Sequence, residues 1–212
     1  MNTALKPIDE FRDNINRMGD QFLAALPKHV DVEKFKRTIV TAVSLTPALL
    51  EADRRSLLAS AMKAASDGLL PDGREAALVP FKGQVQYLPM VGGLLKRMRQ
   101  SGDVRSITCE VIYENDRFER WIDEHGEHIR HEPNYRDADR GPMMAAYACV
   151  YTNDGGVYVE VMPKAEIEKA RAVSKTKDRE DGPWRNWEAA MWRKTVRRKV
   201  AKTAPVATDV LE

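Results

Sequence analysis

The sequence predicts an α+β fold: a helical N-terminal part, a central antiparallel β-sheet with hairpins, and a long basic C-terminal helix packed on the sheet. Three observations carry that prediction. Up to Asp67 the apolar residues recur every three or four positions, which is the period of a helix face. From Leu69 to Met162 they alternate, or run in short blocks between turn residues, as strands and hairpins do. From Gly182 to Lys202 a helical period returns, now opposite a strongly basic face.

The elements follow in order. Phe11, Ile15, Met18, Phe22 and Leu26 define an amphipathic helix over Asp9–Leu26, ended by Pro27. Asp31 is the expected N-cap of a second helix, whose inner stripe is Val32, Phe35, Ile39 and Val43 and which stops before Pro47. A third runs from Asp53 to Asp67 with Leu57, Leu58, Ala61 and Ala65 inward and Gly68 as its left-handed cap. Ala76–Phe81 and Val85–Pro89 flank Lys82-Gly83-Gln84, a turn that closes a hairpin. A helix over Val91–Gln100 presents Leu94, Leu95 and Met98 on one side and is capped by Ser101-Gly102. Strands are predicted at Val104–Tyr113, Arg117–Ile122 and Glu127–His131, and a second hairpin joins Met143–Tyr151 to Val157–Met162 across Asn153–Gly156. A helix over Lys164–Val173 leads into Ser174–Asp181, which reads as a mobile polar loop.

The last helix is expected to run unobstructed from Trp184 to Lys202, with Pro183 in its first turn and no further proline until Pro205. Ala189, Trp192, Val196 and Val200 share an arc suited to packing, while Lys194, Arg197, Arg198 and Lys202 lie opposite. Between Pro183 and Thr203 seven Lys or Arg residues face the single acid Glu188, a local charge of +6 on a chain whose net charge is +2. Pairs such as Lys194 with Arg198 and Arg193 with Arg197 repel at i,i+4. Such a face is unhelpful to folding unless it meets a counter-charge, and phosphate is the natural one.

Other functions are less well supported by the residues. No apolar run approaches the ~20 residues of a membrane helix, and the start MNTALKPIDEF lacks a signal-peptide core, so the cytoplasm is the expected location and no membrane partner is expected. Cys109 and Cys149 are too few and too far apart for a disulfide scaffold or a Cys-based zinc site and read as small core residues of strands. Gly92-Gly93-Leu94-Leu95-Lys96 only superficially resembles a phosphate-binding loop, so ATP hydrolysis is not indicated and no cofactor is expected. His125, His128 and His131, with Asp123, Glu124, Glu127 and Glu132 nearby, invite a metal reading. Their spacing of three does not match the period of a strand, and Gly126 marks a turn. A polar hairpin tip with exposed histidines is the expected arrangement.

Three ordered segments carry a family resemblance. Gly68-Leu69 with Pro71 is followed by Leu78–Phe81 and Val85-Gln86; Arg99–Gly102 precedes Val104–Phe118 with its Glu114-x-Asp116-x-Phe118 block; and Gly182-Pro183-Trp184 precedes Met191, Lys194, Thr195 and Arg198. With His131–Pro133 between them, they make the chain resemble the RecT family of phage and prophage single-strand annealing proteins. Two positions depart from the family pattern. Met90-Val91-Gly92 stands where members carry an aromatic and a base before Gly93, and Trp187 comes one residue early, a 100° rotation on a helix.

The resemblance implies one annealing domain over residues 1–203 (1–67 helical, 68–162 mainly β with one helix, 163–203 helical), followed by a short tail over 204–212, naturally short or truncated. It also implies ATP-independent binding of single-stranded DNA and annealing of complementary strands through an annealed duplex intermediate, with no covalent catalytic step. The expected assembly is a homo-oligomeric ring or helical filament in a bacterial host cell, beside a phage-type exonuclease and a host single-strand binding protein. The expected DNA-binding residues are Lys194 and Arg198, then Arg193, Arg197 and Lys199 on the same helix, Lys82 and Gln86 of the first hairpin, Arg97, and Trp184, which either stacks on a base or packs in the core. The alternatives are a passive single-strand binder that protects DNA and a metal-dependent nuclease.

Overall fold

A computed structural model of the protein describes residues 7–124, 126–136 and 139–205. These fall into two compact units that meet in sequence between Ser101 and Gly102. The architecture is α+β, as predicted.

In the first unit, α1 (Pro7–Arg17) and α2 (Gly19–Ala25) replace the single helix expected from the periodicity. The break falls at Met18-Gly19, where glycine in a helix interior costs about 1 kcal/mol relative to alanine. Phe11, Ile15 and Phe22 are nonetheless all buried. The α3 helix (Val32–Leu45) starts where Asp31 Oδ1 accepts from the Lys34 N–H at 2.6 Å. Its Phe35 meets Phe22 edge to face at 5.4 Å.

After the single turn α4 (Ala48–Glu51), α5 (Arg54–Ser66) is capped at its start by Asp53 accepting from the Ser56 N–H. At its end the Gly68 N–H bonds the Ala65 carbonyl and the Leu69 N–H the Ala64 carbonyl, the paired closure that a glycine cap allows. The hairpin of β1 (Ala76–Phe81) and β2 (Gln84–Pro89) turns on two residues, Lys82 (φ 50°) and Gly83 (φ 75°). Ser56 and Ser60 of α5 clamp it: Ser56 Oγ accepts from the Val85 N–H, and Ser60 Oγ donates to the Val85 carbonyl, each at 2.8 Å.

Helix α6 (Val91–Gln100) begins against the backbone of residue 75. A Cβ on Gly93 would lie 2.1 Å from the Glu75 carbonyl oxygen, so only glycine fits. The glycines of the superficial phosphate-loop pattern thus include one with a packing reason, and its Lys96 is tied to Glu75 at 2.8 Å.

The second unit is built on the antiparallel sheet β3–β6–β7, formed by β3 (Val104–Tyr113), β6 (Met143–Thr152) and β7 (Val157–Pro163). The predicted central sheet is therefore not continuous. The β1–β2 hairpin is a separate ladder, and so is the hairpin of β4 (Arg117–Asp123) and β5 (Gly126–Glu132). Period-2 alternation gives β6 two buried faces. Tyr147 and Cys149 join Ile112 in a cluster covered by Phe118 of β4 and Ile129 of β5. Ala146, Ala148 and Val150 point the other way, where their small size lets a helix approach closely.

That helix is α9 (Glu188–Val200), which contacts all three strands of the sheet. It is reached through α7 (Lys164–Ala172) and the one-turn α8 (Pro183–Asn186). Residues 174–181, expected as a mobile loop, form successive turns through the bonds Ser174 N–H to Arg171 O and Lys177 N–H to Ser174 O, closed by Gly182 N–H to Arg179 O. A Cβ on Gly182 would lie 2.8 Å from the Arg179 carbonyl oxygen and 2.9 Å from that of Thr176, which explains the glycine of the Gly-Pro-Trp motif. Among the described residues no helix is long and apolar enough to cross a membrane.

Candidate nucleic-acid interface

The predicted Trp184–Lys202 helix is interrupted at Trp187, whose φ of −139° and ψ of 46° are not helical. The interruption separates two packing tasks. Trp184, 3% exposed, is buried beneath the Arg171 guanidinium of α7, which lies 5.8 Å from its ring centroid. Trp192, Val196 and Val200 of α9 are fully buried. Of the two roles left open for Trp184, the structure thus shows packing, and its ring offers no free face to a base.

With the apolar arc of α9 fixed, the basic residues divide into two sets. Lys199 is held by Glu166 of α7 at 2.9 Å and Glu160 of β7 at 3.2 Å. The bond to Glu166, with help from Glu160, raises its pKa above the ordinary lysine value despite the cost of partial burial. Arg193 pairs with Glu110 of β3 at 3.6 Å. Arg197 lies beside the Cys109 thiol, whose pKa is pushed up to about 11 chiefly by burial, with Arg197 opposing that rise. Cys109 and Cys149 are both buried free thiols, as the strand reading expected.

Lys194 and Arg198, by contrast, are exposed and have no acidic partner among the described residues. The same holds for Lys202, one turn further on. Lys194 and Arg198 lie four residues apart on α9, a step of ~6 Å along a helix, and Lys202 follows four residues later in the turn after its end. They form a cationic stripe in which each group is free to exchange a condensed counter-ion for a phosphate. A shallow depression of about 300 Å³ runs beside it, lined by Thr195, Arg198, Lys199 and Lys202 together with Met162 and Glu166.

The remaining predicted residues lie elsewhere. Lys82 and Gln86 belong to the first unit and are exposed, Lys82 at the hairpin tip with its ammonium 5.4 Å from the Phe81 ring centroid. Arg97, also in the first unit, is paired with Asp67 at 3.0 Å, and Asp67 accepts a further bond from the Tyr87 hydroxyl. Burial, reinforced by Asp67, raises the Tyr87 pKa, so this group is a neutral structural tie. A groove of about 520 Å³, lined by Lys34, Arg37, Thr41, Leu45 and Pro71 among others, also lies in the first unit, and none of the predicted residues lines it.

The histidine-rich hairpin differs from expectation. His125 lies outside the described residues. His128 is partly exposed, stacks on Trp121 and contacts Asp123 at 2.8 Å. His131 is not an exposed tip residue: its side chain is 3% exposed and bridges Tyr147 Oη at 3.2 Å and Asp116 Oδ2 at 3.0 Å. The sequence placed it at the end of a polar strand, but strand alternation turns it onto the Phe118–Tyr147 cluster.

Asp116, whose side chain is fully buried, also accepts from both arms of the Arg140 guanidinium and from the backbone N–H groups of Tyr113 and Asn134. Burial alone would raise its pKa. The bonds from Arg140, the two backbone N–H groups and His131 outweigh that and hold the carboxyl well below the usual carboxylate range. Arg140 in turn lies 4.2 Å from the Tyr113 ring centroid and 5.0 Å from that of Tyr135. Sequence reading missed Arg140, which lies 24 residues from its partner. Among the described residues no three His, Cys, Asp or Glu side chains come together to hold a metal ion.

Fold and site together define an α+β protein that presents an open cationic helix face. Comparison with known proteins is more specific. The model of the RecT family matches residues 33–211. Protein RecT of Escherichia coli K12 is 32% identical over 206 residues, spanning 91% of this chain and 74% of that protein. The chain belongs to the RecT family, a family of DNA recombination and single-strand annealing proteins.

Proposed function

We propose that the protein binds single-stranded DNA along Lys194, Arg198 and Lys202 and anneals it to a complementary strand without ATP. The observation that carries this reading is the contrast on α9: Arg193 and Lys199 are matched by acids of β3, β7 and α7, whereas Lys194 and Arg198, which also lie in the family-like segment that follows Gly182-Pro183-Trp184, are exposed and unmatched among the described residues. Cations that neutralise phosphates lower the repulsion between two polyanions. A backbone-held strand keeps its base edges available, so Watson–Crick pairing supplies the sequence specificity.

Arg193, Arg197 and Lys199 flank the stripe and contribute as secondary contacts. Lys82 and Gln86, exposed on the first unit, are DNA contacts of that unit. Arg97 acts through its tie to Asp67 rather than on DNA, and Trp184 acts by packing. The working form is a homo-oligomeric ring or filament in the bacterial cytoplasm, which lengthens the aligned strand beyond the few nucleotides that one stripe covers. Its partners are an exonuclease that supplies the single strand and a host single-strand binding protein. The whole of 1–203 acts as one annealing domain.

The test is annealing of two complementary oligonucleotides with EDTA present and ATP absent. Acceleration above the spontaneous rate is expected. Affinity without acceleration would favour passive binding instead, and a product formed only with added magnesium or zinc would favour a nuclease.

A further inference from the structure

We propose that Trp187 is a base-stacking platform at the head of the phosphate stripe, so that a single strand is held by an aromatic face at one end and by cations along the rest. The proposal rests on the single-strand reading above. The four tryptophans have different fates. Trp184 and Trp192 are 3% and 0% exposed, and Trp121, 44% exposed, already stacks on His128 at 5.1 Å with an interplanar angle of 14°. Trp187 is 71% exposed, and among the described residues its ring enters no aromatic pair or cation contact.

Its position is nonetheless fixed. The Trp187 N–H donates to the Pro183 carbonyl at 2.9 Å, and its own carbonyl accepts from the Met191 N–H at 3.0 Å. The break between α8 and α9 therefore points an indole at solvent while the backbone on either side is hydrogen-bonded. An aromatic side chain with only two rotatable bonds, on an anchored backbone, loses little entropy on binding.

The backbone of Trp187 stands at the head of the cationic face. Because its carbonyl accepts the first bond of α9, its Cα lies on the helical path, and at 100° per residue the Cα positions of Trp187, Met191, Lys194 and Arg198 fall within an arc of roughly 60°. At 1.5 Å per residue, Trp187 precedes Lys194 by ~10 Å. A strand whose phosphates follow Lys194, Arg198 and Lys202 can thus place a base on the indole upstream. Stacking is indifferent to base identity, since every base has a π-face, and it leaves the pairing edge free. This also gives a role to a residue whose one-position shift from the family pattern gave no reason to expect one.

The experiment compares wild type, Trp187→Ala, Trp187→Phe and the double variant Lys194→Ala/Arg198→Ala for binding to an oligodeoxythymidine across a salt series, with tryptophan emission recorded. Trp187→Ala is expected to bind roughly tenfold more weakly, with unchanged salt slope and unchanged melting temperature. Trp187→Phe should recover most of the affinity. DNA should quench wild-type emission strongly, and the Trp187→Ala variant far less.

If the double variant weakens binding while Trp187→Ala binds within twofold of wild type, or keeps the full quenching, the platform is overturned and the single-strand reading stands. If wild type does not bind the oligonucleotide, both are overturned.

Discussion

Two groups of charged residues in the second unit lie in the family's characteristic segments, and their settings are opposite. Around Asp116, in the Glu114-x-Asp116-x-Phe118 block, the carboxylate is fully buried and surrounded by Arg140, His131 and two backbone N–H groups. Along α9, Lys194 and Arg198 face solvent with no counter-charge among the described residues. A buried charge must be matched within the fold because desolvation is expensive. An exposed charge need not be, and an exposed row of one sign stays open to a ligand of the opposite sign. The difference teaches that membership of a family motif does not distinguish a charge held inside the fold, such as Asp116, from one left open to solvent, such as Lys194 or Arg198. Pairing and exposure do.

The largest effect that sharpens this contrast is on stability. Asp116→Ala leaves the Arg140 guanidinium and His131 without their shared acceptor and should destabilise the fold by roughly 3–5 kcal/mol, lowering the melting temperature by about 10 °C. Thermal melts check this, and a change of less than about 2 °C would remove Asp116 from its structural role. The reverse holds on α9. Lys194→Ala with Arg198→Ala should change stability by no more than about 0.5 kcal/mol, yet flatten the salt dependence of single-strand binding by up to ~0.7 logarithmic units for each lost phosphate contact. An unchanged slope would mean that the stripe faces something other than DNA.

A finer cut separates the two sets of cations on α9. Lys199→Ala should weaken binding less than Lys194→Ala, because Lys199 is already engaged by Glu166 and Glu160. Replacing both acids, Glu160→Gln with Glu166→Gln, should free Lys199 and steepen the salt slope by up to ~0.7 units. Filter binding at four or five salt concentrations would show either result, and equal losses for Lys194→Ala and Lys199→Ala would erase the distinction.

The smallest effect is the pH dependence of the buried node. The folded-state pKa of Asp116 lies below its unfolded value of about 3.9. Its stabilising contribution is therefore complete above about pH 4 and is lost as pH falls through the depressed folded value. The stability gap between wild type and Asp116→Ala should shrink by roughly 1 kcal/mol between pH 4 and pH 3. Denaturant melts at the two pH values test this, and a constant gap would contradict it.

Much of this was legible in the sequence because it is local. The 3.6-residue period placed Trp192, Val196 and Val200 on the buried arc of α9 and Lys194 and Arg198 opposite it, as found. The Asp31 and Asp53 caps and both predicted hairpins also follow from short-range chemistry. What was not legible is set by distant parts of the chain. Glu110, Glu160 and Glu166 neutralise part of a face that looked uniformly basic, and nothing near residues 193–199 announces them. The split into separate ladders depends on which strands pair, and periodicity does not specify pairing. The break at Trp187 separates two packing tasks of one apparent helix, and the break at Met18-Gly19 falls inside an apolar period that runs on from Ile15 to Phe22, so the periodicity concealed both. His131 was misjudged for a related reason: the polar neighbours Glu127, Arg130 and Glu132 masked a residue that alternation turns inward.

The central claim is that the unmatched cations of α9 hold a single strand so that it can be annealed. The most direct measurement is the rate of annealing of two complementary oligonucleotides, in EDTA and without ATP, for wild type, Lys194→Ala/Arg198→Ala and Lys199→Ala side by side. The account predicts acceleration by wild type, loss of most of it in the double variant and retention of most of it in Lys199→Ala. Acceleration that survives in the double variant would contradict it.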